Sequence, residues 1–402
     1  MENSKTLYNI MKYKPYTLAD MNAASEQNLF TVISTFAGAG GSSTGYKLAG
    51  GKVLVSNEFV DHAYESYKLN HPGTVVLTGD IKQIEGKQFL DAANLSPGEL
   101  DIFDGSPPCT HFSMSGKREK SWDKEKNYHG HKQFQIEKLT LEMIRIAKDL
   151  EPKTIVIENV KALSSGKARD YLNSFKYELE QIGYKCISHI LNASHFGVPQ
   201  GRERTFIIGV RNDVAEKLGI EDYNLYQTLY PEPTGKKLPL LGAFDGLDAD
   251  PNYAVECQNE RDKLAKGNIV VREVLKKIPH NPHKQMQFCH YLMDVAAENP
   301  NEPKLAKFKD RASYFNYFRC SWDTPAPTIT GRCHSYFHPS EDRCFTLKEL
   351  MRIMSLPDDF KFAPGSEEAM EERIGLMVAP KVMQAISSNL YNKILKPYKE
   401  LQ

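Results

Sequence analysis

Between residues 29 and 160 the chain alternates apolar, β-branched runs with helical stretches, and each run stops at glycine or at an acid. The first, Leu29-Phe30-Thr31-Val32-Ile33-Ser34-Thr35-Phe36, leads straight into Ala37-Gly38-Ala39-Gly40-Gly41 and then a helix. Lys52 to Ser56 ends at Asn57-Glu58 ahead of a helix over about Asp61 to Asn70, and Gly73 to Leu77 ends at Thr78-Gly79-Asp80. Such alternation buries its apolar faces as a parallel sheet covered by helices on both sides, which predicts an α/β, doubly wound, mostly parallel fold. Further strands are expected at Asp101 to Asp104, Thr154 to Ile157 and Arg204 to Val210, with an amphipathic helix over Ile136 to Leu150. In a sheet of this kind ligands bind outside the carboxyl ends of the strands.

From about Arg211 to Thr330 the alternation is lost to prolines, charges and short apolar runs, so a second, smaller and irregular domain is expected there. Regularity returns in a capped helix from Phe345 to Met354, closed by Leu356-Pro357-Asp358, and in a last helix near Pro380 to Ile394. The expected division is an N-terminal extension over 1–28, a main domain over 29–210, the irregular domain over 211–330, and a segment over 331–402 able to pack back on the first domain.

A chain of 402 residues has room for this arrangement. Its seven cysteines contain no Cys-x-x-Cys pair, which suits reduced thiols in a cytoplasmic compartment. The polar residues from Met1 to Asn28 and the lack of any run of eighteen apolar residues predict neither a signal peptide nor a membrane span. A formal net charge of zero argues against a general polyanion binder but leaves room for local basic surfaces.

Glycines after a first strand let backbone approach a ligand closely, and an acid at the tip of the second strand, Glu58, can accept hydrogen bonds from ribose hydroxyls. The spacing Gly38-x-Gly40-Gly41 differs from the Gly-x-Gly-x-x-Gly of pyrophosphate binders, which favours an adenosyl ligand without a phosphate bridge, with Asp80 available to the adenine amino group. The competing reading is a plain turn flanked by solvated acids.

Pro107 and Pro108 fix φ and hold the chain extended, aiming Cys109 out of a strand end. A cysteine so placed is positioned for nucleophilic attack, although an isolated free cysteine is more often a small buried hydrophobe. Glu158-Asn159 ends the next buried strand, where a carboxyl group with a raised pKa can donate a hydrogen bond or act as an acid. Arg202 and Arg204, two apart, are expected on one face of an extended segment, where paired guanidinium groups suit phosphates or base carbonyls. The long basic stretch from Met114 to Lys132, with Trp122 and Tyr128, has the length of a lid and a charge suited to a nucleic-acid backbone. Cys320, Cys333, His334, His338 and Cys344 match no usual zinc spacing, so no metal is expected.

Taken in order, these segments resemble the DNA (cytosine-5) methyltransferases that use S-adenosylmethionine, mostly bacterial and phage modification enzymes, over nearly the whole chain. The resemblance implies a Rossmann-like methyltransferase fold whose cofactor contacts are Phe36, Ala37, Gly38, Gly40, Gly41, Glu58, Phe59, Asp80, Ile81, Pro108, Met377 and Val378. It implies Cys109 as the nucleophile toward a flipped-out cytosine, Glu158 as the base-binding acid, and Arg204, Arg202, Pro107 and Asn159 beside them. Ser113, Ser115, Lys117, Arg118 and Lys120 fall where DNA contacts are expected, and the irregular domain resembles a target-recognition domain. Two positions depart from the usual pattern: Leu376 replaces an asparagine and Lys348 an arginine. The expected partner is duplex DNA, with the protein a monomer that can be paired functionally with a restriction endonuclease. An RNA cytosine-5 methyltransferase and a catalytically inactive DNA-binding relative are the alternatives, the latter disfavoured by intact Cys109, Glu158 and Arg204.

Overall fold

The computed structural model describes residues 12–108, 126–128, 131–133, 139–166, 168–303, 317–331 and 335–402. Seven strands form the main sheet: β1 (Thr31–Thr35), β2 (Lys52–Glu58), β3 (Val75–Thr78), β4 (Ile102–Gly105), β5 (Thr154–Val160), β6 (Tyr184–Asn192) and β7 (Glu203–Arg211). Their spatial order is β3-β2-β1-β4-β5-β7-β6, so the winding reverses between β1 and β4. All pairings are parallel from β3 to β5, while β7 is antiparallel to both β5 and β6. The long edge strand β6 was not among the expected elements. Its run Tyr184-Lys185-Cys186-Ile187-Ser188-His189-Ile190-Leu191-Asn192 mixes buried and half-exposed positions without strict alternation, which removes the period-two signal.

Strand residues divide by parity between two apolar layers, except on β2, where a register shift opposite Val32 and Ile33 sends Val53 and Val55 to different layers. Val32, Val53, Ile102, Val156, Phe206 and Ile208 face one cluster, and Ile33, Val55, Phe103, Ile155, Ile157 and Ile207 the other. The second layer is closed by helices at Gly86–Ala93, Leu139–Leu150 and Ala168–Gln181. The first described residue of the middle helix is Leu139, so the start expected at Ile136 lies outside the described residues. On the first layer lie α1 (Leu18–Ser25), α2 (Gly41–Leu48) and the helix Pro380–Leu390, which packs directly on α2. That approach needs a glycine at 45: a Cβ there would sit 2.4 Å from the Pro380 carbonyl oxygen and 2.5 Å from the Met383 Cβ.

Within 211–330, Val214 to Ala243 and Cys320 to Ile329 contribute to the first layer's core. Val270, Val271, Val274, Leu275, Ile278, Phe288, Leu292 and Val295 instead build a separate small core with Phe337. It is backed by short strands at Met286–Gln287, Phe318–Arg319 and Tyr336–Phe337. The Thr346 and Glu349 capping box opens the helix Leu347–Ile353. Glu349 also receives Arg343 at 2.8 Å, with both side chains fully buried, so each charge is compensated where solvent cannot reach it. Lys348 pairs with Asp250. Among the described residues no helix is long and apolar enough to cross a membrane.

Candidate active site

The carboxyl ends of β1, β2, β4 and β5 open into one cavity of about 470 Å³. Because β7 runs the other way, its amino end reaches the same edge of the sheet, with Arg204 opposite Val160 and Phe206 opposite Glu158. This reversal brings the two arginines to the strand-end acids. The lining includes Phe36, Ala37, Gly38, Glu58, Phe59, Asp80, Ile81, Pro107, Pro108, Glu158, Asn159, Arg202, Arg204, Met377 and Val378.

The turn after β1 takes three left-handed residues, with φ of 51° at Phe36, 55° at Gly38 and 104° at Gly40. Phe36 holds a conformation that costs a side-chain-bearing residue about 1–2 kcal/mol, strain of the kind found where a binding site dictates the backbone. Glu58 fixes the turn: one carboxylate oxygen accepts from the Gly38 amide at 2.7 Å and the other from the Phe59 and Val60 amides at 2.8 Å. Burial raises the Glu58 pKa while those amides and the Arg373 charge oppose the rise. Asp80 accepts from the Lys82 amide at 3.0 Å at the start of a short turn. Gly40 and Gly41 are not in the cavity lining. A Cβ on Gly40 would lie 2.3 Å from the His71 Nε2, and one on Gly41 2.3 Å from the Val378 carbonyl oxygen. Their smallness serves packing of the turn against α3 (Asp61–Asn70), its C-terminal His71 and the Met377-Val378 wall.

On the other side, Arg204 Nε lies 3.1 Å from Glu158 Oε1 with both side chains largely buried. Burial raises the Glu158 pKa, and Arg204 and then Arg202 pull it back. Asn159 accepts from the Val160 amide at 2.8 Å and donates to the Pro107 carbonyl at 3.4 Å, so the end of β5 is tied to the rigid Pro107-Pro108 lead. Arg202 lines the cavity, yet its guanidinium donates to the carbonyls of Ile329 at 3.0 Å and Gly375 at 3.1 Å. The two arginines thus share the cavity wall but have separate partners, since Arg202 precedes the first pleated residue of β7. Cys109 follows the last described residue of its segment. It lies outside the described residues, as do Ser113, Ser115, Lys117, Arg118, Lys120, Cys333 and His334.

Several lining residues were not expected from the sequence. Ile329, Thr330, Gly331 and Arg373 come from segments remote in sequence and reach the cavity through the tertiary fold. Leu376, at the departure noted above, is 48% exposed on that wall. Behind the lining, Asp104 on β4 accepts from Ser34 Oγ at 2.7 Å and the Tyr46 hydroxyl at 3.0 Å, and burial pushes its pKa up to about 7. An acid inside an otherwise apolar strand was the available sign. Cys320 is fully buried, and His338 packs among Phe244, Trp322 and Phe345.

The likeness to known proteins accords with this site. The chain is 29% identical over 367 residues to the Type II methyltransferase M1.HphI of Haemophilus parahaemolyticus, covering 89% of this chain and 85% of that protein. It is 28% identical to M.Eco47II of Escherichia coli, covering 92% and 80% respectively. Among solved structures, a DNA modification methyltransferase encoded within an Escherichia coli prophage shares the fold with a TM-score of 0.61 at 21% identity, over 90% of this chain and 99% of that one. Spodoptera frugiperda DNMT2 shares it with a TM-score of 0.56 at 18% identity and the same coverage. The sequence model of the C-5 cytosine-specific DNA methylases matches residues 30–392, which takes in every strand of the sheet and both walls of the cavity, and the chain belongs to that family.

Proposed function

We propose that this DNA (cytosine-5) methyltransferase works through a covalent adduct between Cys109 and a cytosine turned out of duplex DNA, with S-adenosylmethionine as the methyl donor. The observation that carries the reading is the placement of Glu158 and Arg204, 3.1 Å apart, across one cavity from the glycine turn and Glu58.

The cavity suits the cofactor. Its volume falls in the roughly 300–1,000 Å³ range of small-molecule sites. Phe36, Phe59, Val60 and Ile81 give apolar surface for an adenine, and Glu58 and Asp80 stand at adjacent strand ends. The Glu58 oxygen that accepts only from the Gly38 amide has a second lone pair, available to a ribose hydroxyl. When bound, the cofactor supplies an electrophilic methyl group on a sulfonium.

A stacked cytosine shields its ring faces, so the base must leave the duplex before attack. The Cys109 thiolate then bonds to carbon 6. Glu158, biased by burial toward its protonated form, donates to ring nitrogen 3 and offsets the charge that develops as aromaticity is lost. Arg204 holds the carbonyl oxygen at carbon 2, and the Pro107 carbonyl accepts from the exocyclic amine. Cys109, bonded at carbon 6, makes carbon 5 nucleophilic toward the methyl group; water then takes the carbon 5 proton, nitrogen 3 returns its proton to Glu158, and the Cys109 thiolate departs. Asn159 keeps the proline lead in place.

The stretch from Lys117 to Lys132 serves as the lid over base and phosphates, supported by its five lysines and one arginine. Sequence recognition belongs to the irregular domain over 211–330, supported by the separate core that Val270 to Val295 build there. The Type II designation of the relatives supports pairing with a restriction endonuclease, and the protein acts as a monomer. The test is transfer of labelled methyl from S-adenosylmethionine to duplex DNA and to transfer RNA in parallel, with bisulfite sequencing of the DNA. Label in DNA cytosines at one sequence context is expected; label only in RNA refutes the reading.

A further inference from the structure

Gln200 is fully buried and Arg202 is 4% exposed. Together they hold both backbone groups of one residue: Gln200 Oε1 accepts from the Ile329 amide at 3.1 Å, and Arg202 Nη1 donates to the Ile329 carbonyl at 3.0 Å. Arg202 Nη2 reaches the Gly375 carbonyl at 3.1 Å. The backbone repeats the pattern, since Gly201 donates to the Ala326 carbonyl at 2.8 Å and Ala326 to the Pro199 carbonyl at 2.9 Å. Gly375 in turn lies so close to Thr330 that a Cβ there would fall 2.2 Å from its carbonyl oxygen. Three segments distant in sequence are therefore locked into one unit: 199–202, 326–330 and the end of the helix Glu367–Leu376 at Gly375, which leads into the Met377-Val378 wall.

We propose that Gln200 and Arg202 are positioning residues that set the Gly375–Val378 wall of the cofactor pocket by fastening it through Ile329 to the base-binding end of β7. Arg202 acts through the fork of its guanidinium on two carbonyls, not as a charge presented to the substrate. The inference rests on the reading of the Gly375–Val378 wall as part of the cofactor site. A lysine keeps the charge but places one point donor where two divergent carbonyls must be met. The two readings thus predict opposite behaviour for Arg202→Lys.

The experiment measures S-adenosylhomocysteine affinity of the DNA-free full chain for wild type, Arg202→Lys, Arg202→Gln and Gln200→Leu, with melting temperatures alongside. Leu172→Ala, in the opposite core layer, serves as a control for general destabilisation. The expected result is a loss of about tenfold or more in affinity, equivalent to about 1.4 kcal/mol. It should appear in both Arg202 variants, with lysine no better than glutamine, while Leu172→Ala binds normally despite a lowered melting temperature. Normal binding in both Arg202 variants, with methyl transfer lost in Arg202→Gln and restored by Arg202→Lys, overturns the proposal. An equal loss of binding in Leu172→Ala overturns it as well. Failure of the wild type to bind would instead remove the cofactor reading, and this inference with it. If the variants do not fold, hydrogen exchange on the wild type decides: S-adenosylhomocysteine should slow the amides of Ala326 and Thr328, which are not in the cavity lining, and unchanged exchange there counts against the staple.

Discussion

Replacing Asp104 by asparagine should change how stability depends on pH. The carboxyl group is 1% exposed and faces Ser34 from β1, Ser42 and Tyr46 from α2, the Tyr67 hydroxyl from α3 and the charge of Glu158 from β5. Burial dominates, raising its pKa from an ordinary 3.8 to about 7, with Glu158 adding to the rise and the Ser34, Tyr46 and Ser42 hydroxyls opposing it. The folded chain therefore keeps a proton that the unfolded chain loses at the ordinary value. Between those two values the native state binds more protons, so stability falls as pH rises, by about 1.4 kcal/mol per pH unit for one group. Over the whole window the loss is on the order of 4 kcal/mol. Asparagine keeps the shape and one acceptor but does not titrate. Chemical denaturation of wild type and Asp104→Asn at half-unit steps from pH 4 to 8 should show the wild type losing stability relative to the variant up to about pH 7, then a constant difference. Curves that run parallel across the window would refute the reasoning.

Gly45→Ala places a methyl group 2.4 Å from the Pro380 carbonyl oxygen, so α2 and the C-terminal helix must part. Overpacking of that kind costs about 1–3 kcal/mol, more than the helix-propensity gain of about 1 kcal/mol, and denaturant titration should find a net loss; an unchanged midpoint contradicts the packing account. Glu58→Gln sets an NH2 donor against either the Gly38 amide or the Phe59 and Val60 amides, whichever way it turns, so S-adenosylhomocysteine affinity should weaken by about 1–3 kcal/mol by calorimetry. Equal affinity would return Glu58 to a simple strand end. In Arg204→Met the larger of the two charges that lower the Glu158 pKa is gone, with its hydrogen bond. The basic limb of the single-turnover pH profile should therefore move to higher pH, and a fixed limb would mean that Glu158 does not act in its protonated form.

Much of the site was legible because chemistry-bearing residues sit at strand ends that the sequence marks clearly. Glu58, Asp80, Pro107, Glu158 and Arg204 each follow or precede a short apolar run, and the parallel sheet gathers such ends on one edge. Strand direction is not written in composition. That β7 runs antiparallel, and so delivers Arg204 to Glu158, depends on where β6 lies, and β6 has no clean alternation. Gly40 and Gly41 read in sequence as close approach to a ligand, while in the fold a Cβ at either would meet His71 or the Val378 backbone, partners that no local pattern marks. Arg202 reads as a charge in sequence and is spent on two carbonyls in the fold. Such partners come from segments more than a hundred residues away, and no local pattern announces them.

The central claim is a sulfur–carbon bond between Cys109 and a DNA cytosine. Duplex DNA carrying 5-fluorocytosine at the target position should, with S-adenosylmethionine, trap the full chain covalently, because fluorine cannot leave carbon 5 as a proton does and the Cys109 bond to carbon 6 cannot be released. Peptide mass spectrometry of the complex is the direct measurement. The account predicts a methylated fluorocytosine adduct on the peptide that contains Cys109, absent from Cys109→Ser. A complex mapped to another residue, or methylated DNA cytosine produced by Cys109→Ser at the wild-type rate, would contradict it.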